Sequence, residues 1–242
     1  GRRRCGGYYE WIGGKREGGE TIDDAAEREL KEEVQIDWEK HSFSIEGKAK
    51  SYPSEVDPKF KLNPVLIEIE SEVAEKITEN DLSSEHDAFE WIELTEFDEY
   101  RTPGQYQALE RLDLVEGDVA LAAVMNGEKY LVVKRSEENS SAGRWGFVSG
   151  KLEDGEDPEE AAVRELKEET GVEADLVGAG DFYIGKGELG YWRLFPFLLE
   201  TDEEKVDLNW ELSEYRWIDT DELRDMKTLG RMKAVEKLGL DR

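Results

Sequence analysis

The 242-residue sequence is poor in cysteine: Cys5 stands alone, so no internal disulfide can form and a reducing, cytoplasmic setting is expected. Histidine is nearly as scarce. His41 and His86 are too few for a histidine metal site, and surface or loop positions are expected for both. Basic residues are outnumbered, 32 against 60 acidic ones, for a formal net charge of -28. Such a chain repels nucleic-acid backbones and anionic membranes. The charge argues against polymeric DNA or RNA and against a membrane surface, and leaves open a small phosphorylated ligand that brings its own cation. Long hydrophobic runs are absent as well. The longest clean one, residues 119–125, is too short to cross a bilayer, and no signal peptide is visible. There is no G-x-x-x-x-G-K-[ST] phosphate loop and no Ser/His/Asp set. The chain opens on Gly1 rather than Met, as expected of a processed, trimmed or engineered product.

What is present is a repeat. GKREGGETIDDAAERELKEEVQI (14–36) and GKLEDGEDPEEAAVRELKEETGV (150–172) share 13 of 23 positions without a gap. The likeness resumes where DAFEWIELTEFDEY (87–100) parallels SEYRWIDTDELRDM (213–226), each followed by a short helical tail. A tandem duplication with domains 1–115 and 116–242 follows. Hydrophobic residues make up 38% of the chain and there are seven Trp, enough for a core in each half.

The copies differ at their starts. VALAAVMNGEKYLVVKR (119–135) reads as two strands joined across Asn126-Gly127, a strong hairpin signal. The first copy has only GRRRCGGYYEWI before Gly13, so it is expected to be incomplete and to lack that hairpin. Further along the second copy, a helix is expected over 157–170. Asp157 serves as N-cap with Glu160 completing a capping box, Pro158 falls in the first turn, and Gly171 takes the left-handed cap. Strands near 174–184, 190–199 and 214–219 and a last helix at 221–238 complete a mixed sheet covered by helices.

The helix at 157–170 concentrates acid on one face. Glu165, Glu168 and Glu169 lie at i, i+3 and i+4, and like charges at that spacing cost roughly 0.2–0.5 kcal/mol per pair. Clustered carboxylates suit a hard divalent cation, since Mg²⁺ takes oxygen ligands and shares them with substrate phosphates. Arg164 beside them can hold one carboxylate in place. For a bare EExxE run, a solvated acidic face would be the better reading. The wider spacing overrides it: Gly150, five residues, Glu156, seven residues, then Arg164-Glu165-Leu166-Lys167-Glu168-Glu169-Thr170-Gly171-Val172.

That string resembles the Nudix box at every specified position, and the resemblance extends over 118–242 in element order and more weakly over 1–115. It implies two Nudix-type α/β/α sandwich domains with mixed sheets, the first lacking its N-terminal hairpin. It also implies Mg²⁺- or Mn²⁺-dependent hydrolysis of a nucleoside diphosphate linked to a further group X. By position, Glu168 and Glu169 would be metal ligands, Glu165 a ligand or the general base oriented by Arg164, and the carbonyl of Ser149 a further ligand. Glu156 would partner Arg164. An acid beyond the box often completes such a site, and Glu211 lies where that Glu is often found. There the family segment often reads Glu-His; the first copy keeps Glu85-His86, whereas the second has Glu211-Leu212.

The first box matches except that Gln35 replaces the closing Gly, which at a left-handed cap costs on the order of 1 kcal/mol. Glu29, Glu32, Glu33 and the carbonyl of Gly13 remain as possible metal ligands there, with Arg28 to orient them. Arg135, Arg144 and Arg193 are candidate phosphate contacts. Trp145, Phe182, Tyr183, Tyr191 and Trp192 are candidate base-stacking groups, with core packing the commoner role. Phe89-x-Trp91 and Tyr215-x-Trp217 resemble branches acting on nucleoside triphosphates or dinucleoside polyphosphates, the favoured substrates. A non-catalytic nucleotide sensor is the alternative, above all for the first copy. Isoprenyl diphosphate isomerisation would want a core cysteine, where Cys5 is badly placed, and a purely structural acidic domain would show no metal-dependent turnover. The two domains are expected to pack on each other, and a homo-oligomer is open.

Overall fold

The computed structural model describes residues 11–54, 57–86, 88–100, 105–138, 141–187, 190–226 and 231–240; Cys5 lies outside them. The chain divides into two compact units, Gly1–Leu114 and Val115–Arg242. No helix among the described residues is long and apolar enough to cross a membrane.

Unit 1 begins, among its described residues, with α1 (Ile22–Glu33). Thr21 caps it reciprocally: its Oγ1 accepts from Asp24 N–H at 3.1 Å, and Asp24 Oδ2 accepts from Thr21 N–H at 3.1 Å. Then come β1 (Phe43–Lys48), β2 (Tyr52–Pro53), β3 (Lys61–Leu62) and β4 (Val65–Ile69), followed by α2 (Ser71–Ala74), α3 (Phe97–Tyr100) and α4 (Gln105–Arg111). β1 pairs antiparallel with β4 around a bulge between Ile45 and Gly47, and β2 with β3. Leu30, Val34 and Ile77 form a small core, flanked by Phe43, Ile67, Ile69 and Phe89. No strand precedes α1 among the described residues, so the expected hairpin has no counterpart there. The segment around Phe89-x-Trp91 accordingly forms no strand, and Trp91 is left 58% exposed.

The end of α1 departs from expectation. Gln35 does not enter the left-handed region; instead Val34 turns extended at φ -115° and the helix stops at Glu33. The cap strain is avoided by giving up helix, not absorbed.

Unit 2 opens with β5 (Asp118–Asn126) and β6 (Lys129–Arg135). The turn between them is Gly127-Glu128, one residue later than expected, with Gly127 at φ 58°. The two strands pair only at Met125–Tyr130 and Asn126–Lys129 and then diverge. Into the gap come β7 (Trp145–Gly146), which pairs with β6, and β8 (Val148–Lys151), which pairs antiparallel with β5. Next follow α5 (Pro158–Thr170), β9 (Asp175–Ala179), β10 (Tyr183–Lys186), β11 (Tyr191–Glu200), β12 (Leu212–Ile218), α6 (Thr220–Asp225) and α7 (Arg231–Lys237). The eight strands make one mixed sheet in the order β10-β11-β5-β6-β12, with β11 parallel to β5.

Strand alternation sorts the sheet into two faces. Ala120, Ala122, Val124, Leu131 and Val133 meet Ala161, Ala162 and Leu166 of α5. Leu121, Ala123, Tyr130 and Val132 meet Leu223 of α6 and Ala234 and Val235 of α7. Each fully buried side chain of Leu166's size contributes roughly 1.5–3 kcal/mol. This is a mixed sheet between helical layers.

Three boundaries differ from the sequence reading. The strand expected over 174–184 is two strands, because Pro196 opposite has no N–H to continue the ladder and only its carbonyl is used, by Gly180 N–H at 2.9 Å. The last helix is interrupted where Met226 turns extended (ψ 117°). Asp157 caps α5 through Glu159 N–H at 2.9 Å, not through a box with Glu160.

Candidate active site

β8 is the floor on which the acids of α5 rest. Gly150 stands opposite Ala120 in the ladder, and the Glu165 carboxyl group lies directly over it. A Cβ at position 150 would fall 1.9–2.4 Å from the Glu165 carboxyl atoms, so only glycine leaves room. Gly171 ends the helix at φ 69°, with its N–H donating to Lys167 O at 2.9 Å.

Arg164 is the hub. Its Nε and Nη2 donate to Glu156 Oε1 and Oε2 at 2.7 and 2.9 Å, and Nη1 donates to Glu165 Oε1 at 2.7 Å. Nη1 also reaches Glu168 Oε2 at 3.3 Å, and Nη2 the carbonyl of Lys151 at 3.1 Å. The guanidinium thus ties the loop, the floor strand and two helix acids into one rigid fork. The Arg164 bonds, with help from Glu153 N–H, hold the Glu156 carboxyl down at about 2.

Glu169 lies deeper, 3% exposed. Burial, reinforced by the carboxylates of Glu165, Glu211 and Glu168 and opposed by the Arg135 guanidinium, pushes it up to about 8. Burial also raises Glu165, against the pull of Arg164. Arg135, a candidate phosphate contact from the sequence, donates through Nη2 to Ser149 Oγ at 3.1 Å. Glu211 arrives on the loop before β12. That loop is docked on the end of α5, where Asp207 N–H donates to Thr170 O at 2.8 Å and Asn209 N–H to Glu169 O at 2.9 Å. The helix's last two carbonyls are satisfied and a fourth carboxylate is delivered.

The donor set fits a hard divalent cation: Glu165, Glu168, Glu169 and Glu211 share one neighbourhood, and Arg164 is already engaged by Glu156. The carboxylates are gathered but not converged, since no three acidic, imidazole or thiol groups among the described residues close on one point. Closing on an ion requires rotation of side chains, chiefly the exposed Glu168.

The burial of Glu169 predicts a stability profile. Folded protein keeps this proton up to about pH 8, whereas the unfolded chain releases it near 4.5. The contribution is therefore complete below pH 4.5 and lost as pH rises through about 8. In EDTA the melting temperature should fall between pH 5 and pH 8.5, Glu169→Gln should lack that part of the fall, and Mg²⁺ should restore the parent at high pH. Equal slopes for parent and variant would contradict it.

Unit 1 repeats the fork bond for bond. Arg28 donates to Glu20 Oε1 and Oε2 at 2.7 and 3.2 Å, Glu29 Oε1 at 2.7 Å, Glu32 Oε2 at 3.1 Å and Lys15 O at 3.1 Å. A Cβ on Gly14 would meet the Glu29 carboxyl at 2.0–2.2 Å. Glu20 was findable by aligning it with Glu156. Glu33 differs from its counterpart: burial pushes its carboxyl up, but the opposing group is His86, whose Nε2 stands 3.2 Å from Oε2, and a backbone bond from Gly13 adds to that opposition. His86 is thus no ordinary surface residue, and its pairing had no local signal.

Other candidates are engaged elsewhere. Arg193 is paired with Asp118 and lies against Phe182 and Phe195, Trp192 is covered by Lys151, and Tyr183 is fully buried. Arg144 contributes a backbone carbonyl to Arg135 N–H at 3.0 Å. Trp145 stacks under Arg216, and Tyr191 lies under Lys186.

The NUDIX domain model matches residues 2–112 and again 116–238. An RNA pyrophosphohydrolase of Novosphingobium aromaticivorans is 31% identical over 124 residues, 43% of this chain and 77% of that protein. A CTP pyrophosphohydrolase of Escherichia coli K12 is 40% identical over 59 residues, 24% of this chain and 44% of that protein. Among solved structures, a MutT protein from Methanosarcina mazei Go1 is similar with 24% identity and a TM-score of 0.42, covering 53% of this chain and 96% of that one.

Proposed function

Because the chain belongs to the NUDIX domain family, as a hydrolase of pyrophosphate bonds, we propose that unit 2 uses Mg²⁺ or Mn²⁺ to cleave a nucleoside diphosphate linked to X, with nucleoside triphosphates or dinucleoside polyphosphates as preferred substrates. The Arg164 fork over Gly150 carries this reading, because it fixes Glu165 beside the buried Glu169 and the incoming Glu211. Glu168, Glu169 and the carbonyl of Ser149 would hold the cation, with Glu165 as a further ligand or as base. A bound divalent cation supplies charge neutralisation for the phosphates. Glu165, held by Arg164, accepts the proton of the attacking water, whose oxygen bonds to phosphorus as the anhydride P–O bond breaks. Glu211 is the second candidate for that proton.

RNA with a terminal pyrophosphate is a second reading, favoured by the relative named RNA pyrophosphohydrolase and opposed by the net charge of -28. The test is a panel of nucleoside triphosphates, dinucleoside polyphosphates, nucleoside diphosphate sugars and 5′-triphosphorylated RNA, with products resolved by mass. Mg²⁺-dependent release of a nucleoside monophosphate, faster toward alkaline pH and abolished by excess EDTA, is expected. Full turnover in EDTA would remove the metal from the mechanism. Tight binding of one nucleotide without turnover would leave a sensor.

A further inference from the structure

Of the seven tryptophans in the chain, six have a ring, a cation or a carbonyl to meet. Trp11 lies against Phe97, Trp38 against Phe43 and Trp91 against Phe89. Trp145 lies under Arg216, Trp192 under Lys151, and Trp217 Nε1 donates to Glu204 O at 3.2 Å. Trp210 meets no such group among the described residues and is 67% exposed, more than any other large hydrophobic side chain described. A lone exposed apolar group is ordinary on a protein surface. What sets Trp210 apart is where its backbone is held. Asn209 N–H donates to Glu169 O at 2.9 Å, Asn209 Oδ1 accepts from Glu211 N–H at 2.8 Å, and Glu211 O accepts from Ser136 N–H at 2.8 Å. One neighbour of Trp210 is thus bonded to the buried acid of the site, and the other brings the fourth carboxylate.

Unit 1 supplies an internal control. Extending the alignment of 87–100 with 213–226 toward the N-terminus matches Ser83, Ser84 and Glu85 to Asn209, Trp210 and Glu211. Ser83 N–H donates to Glu33 O at 2.9 Å, the same bond that Asn209 makes to Glu169. Ser84 is exposed, as Trp210 is. Docking of this loop therefore needs no indole, and only the second copy carries one. We propose that Trp210 is the platform on which the nucleobase of the substrate stacks, and that unit 2 accepts nucleoside polyphosphates with little regard to which base they carry. The inference rests on the reading of unit 2 as a nucleotide hydrolase and adds how the uncharged end of the substrate is held. In a chain of net charge -28, the phosphates need a cation between them and the carboxylates, whereas a neutral base can be held by its π face. A tryptophan offers that contact at low cost in side-chain freedom. Every base has such a face, so stacking sorts bases weakly. Unit 1, with Ser84, has no platform at this position.

Calorimetry in Mg²⁺ compares binding to the full chain of α,β-methylene analogues of ATP, GTP and CTP with that of inorganic tripolyphosphate, which has no base. Trp210→Ser, which copies Ser84, should weaken all three nucleotides by about 5–150-fold and leave the affinity for tripolyphosphate unchanged. Trp210→Phe, which keeps an aromatic face, should recover most of the loss. In the parent the three nucleotides should bind within about tenfold of one another. Their addition should change the tryptophan emission by an increment that is absent from Trp210→Ser. With cleavable nucleotides the loss in Trp210→Ser should lie in KM rather than kcat. A parent that binds as expected but cleaves nothing would remove hydrolysis and keep the platform. Equal nucleotide affinity in parent and Trp210→Ser, an equal loss for tripolyphosphate, or a parent that binds one base only would each overturn the proposal.

Discussion

Glu168→Gln and Glu169→Gln should each abolish nearly all turnover, while Glu32→Gln and Glu33→Gln should change it little. Loss of an outer-shell partner at a metal site costs about 10–100-fold, so loss of a ligand should exceed about 10³-fold. The contrast between units rests on support, because the forks themselves are alike. Gly150 is laddered to Ala120 within an eight-stranded sheet, so the floor under Glu165 is held by β5. Gly14 lies in a stretch with no strand pairing among the described residues, so the same Glu–Gly contact is held by the Arg28 bond to Lys15 O and the Gly13 bond to Glu33 but by no ladder. Catalysis tolerates ligand misplacement of only about 0.5 Å, which favours the laddered site. Steady-state rates of the four variants, each checked for folding by its melting curve, decide the point. Damage confined to the Glu32 and Glu33 variants would reverse the ranking.

Glu165→Gln should lower kcat by about 10²–10⁴-fold if that carboxylate takes the proton from water. The substitution keeps shape and leaves Gly150 covered, so stability should barely move. Gly150→Ala tests the same group from below: its methyl would occupy the space of the Glu165 carboxyl, 1.9–2.4 Å away, and must displace it. Both variants should retain the Glu156–Arg164 pair, which lies on the other side of the guanidinium. If Glu211→Gln alone reproduces the loss and Glu165→Gln is mild, the proton goes to Glu211 instead. Its delivery by the loop docked on α5 makes that outcome structurally possible.

Features set by neighbours in the chain were readable from the sequence. The α5 limits, its Asp157 cap and the left-handed Gly171 follow from residue types at fixed offsets, as does the pairing of Arg164 with Glu156. Features set by distant strands were not. The insertion of β8 between β5 and β6 depends on two strands diverging after two pairs, which no periodicity encodes. The break near Gly180 is dictated by Pro196, sixteen residues on. Strain at Gln35 follows only if its position keeps the backbone of Gly171, and the chain changes conformation one residue earlier, at Val34. His86 and Arg135 reach their glutamates through tertiary contacts that leave no mark in local spacing.

The Arg164 fork has a kinetic consequence. Each of its partners lies within 13 residues of it, whereas the Arg193–Asp118 pair that ties β11 to β5 spans 75. Loop-closure entropy makes the second contact costlier than the first by about 1.5 kcal/mol. The box is therefore a short-range nucleus that can close while the parallel strands are still apart. That independence accounts for a duplicated chain in which the two forks are the same and the scaffolds around them are not.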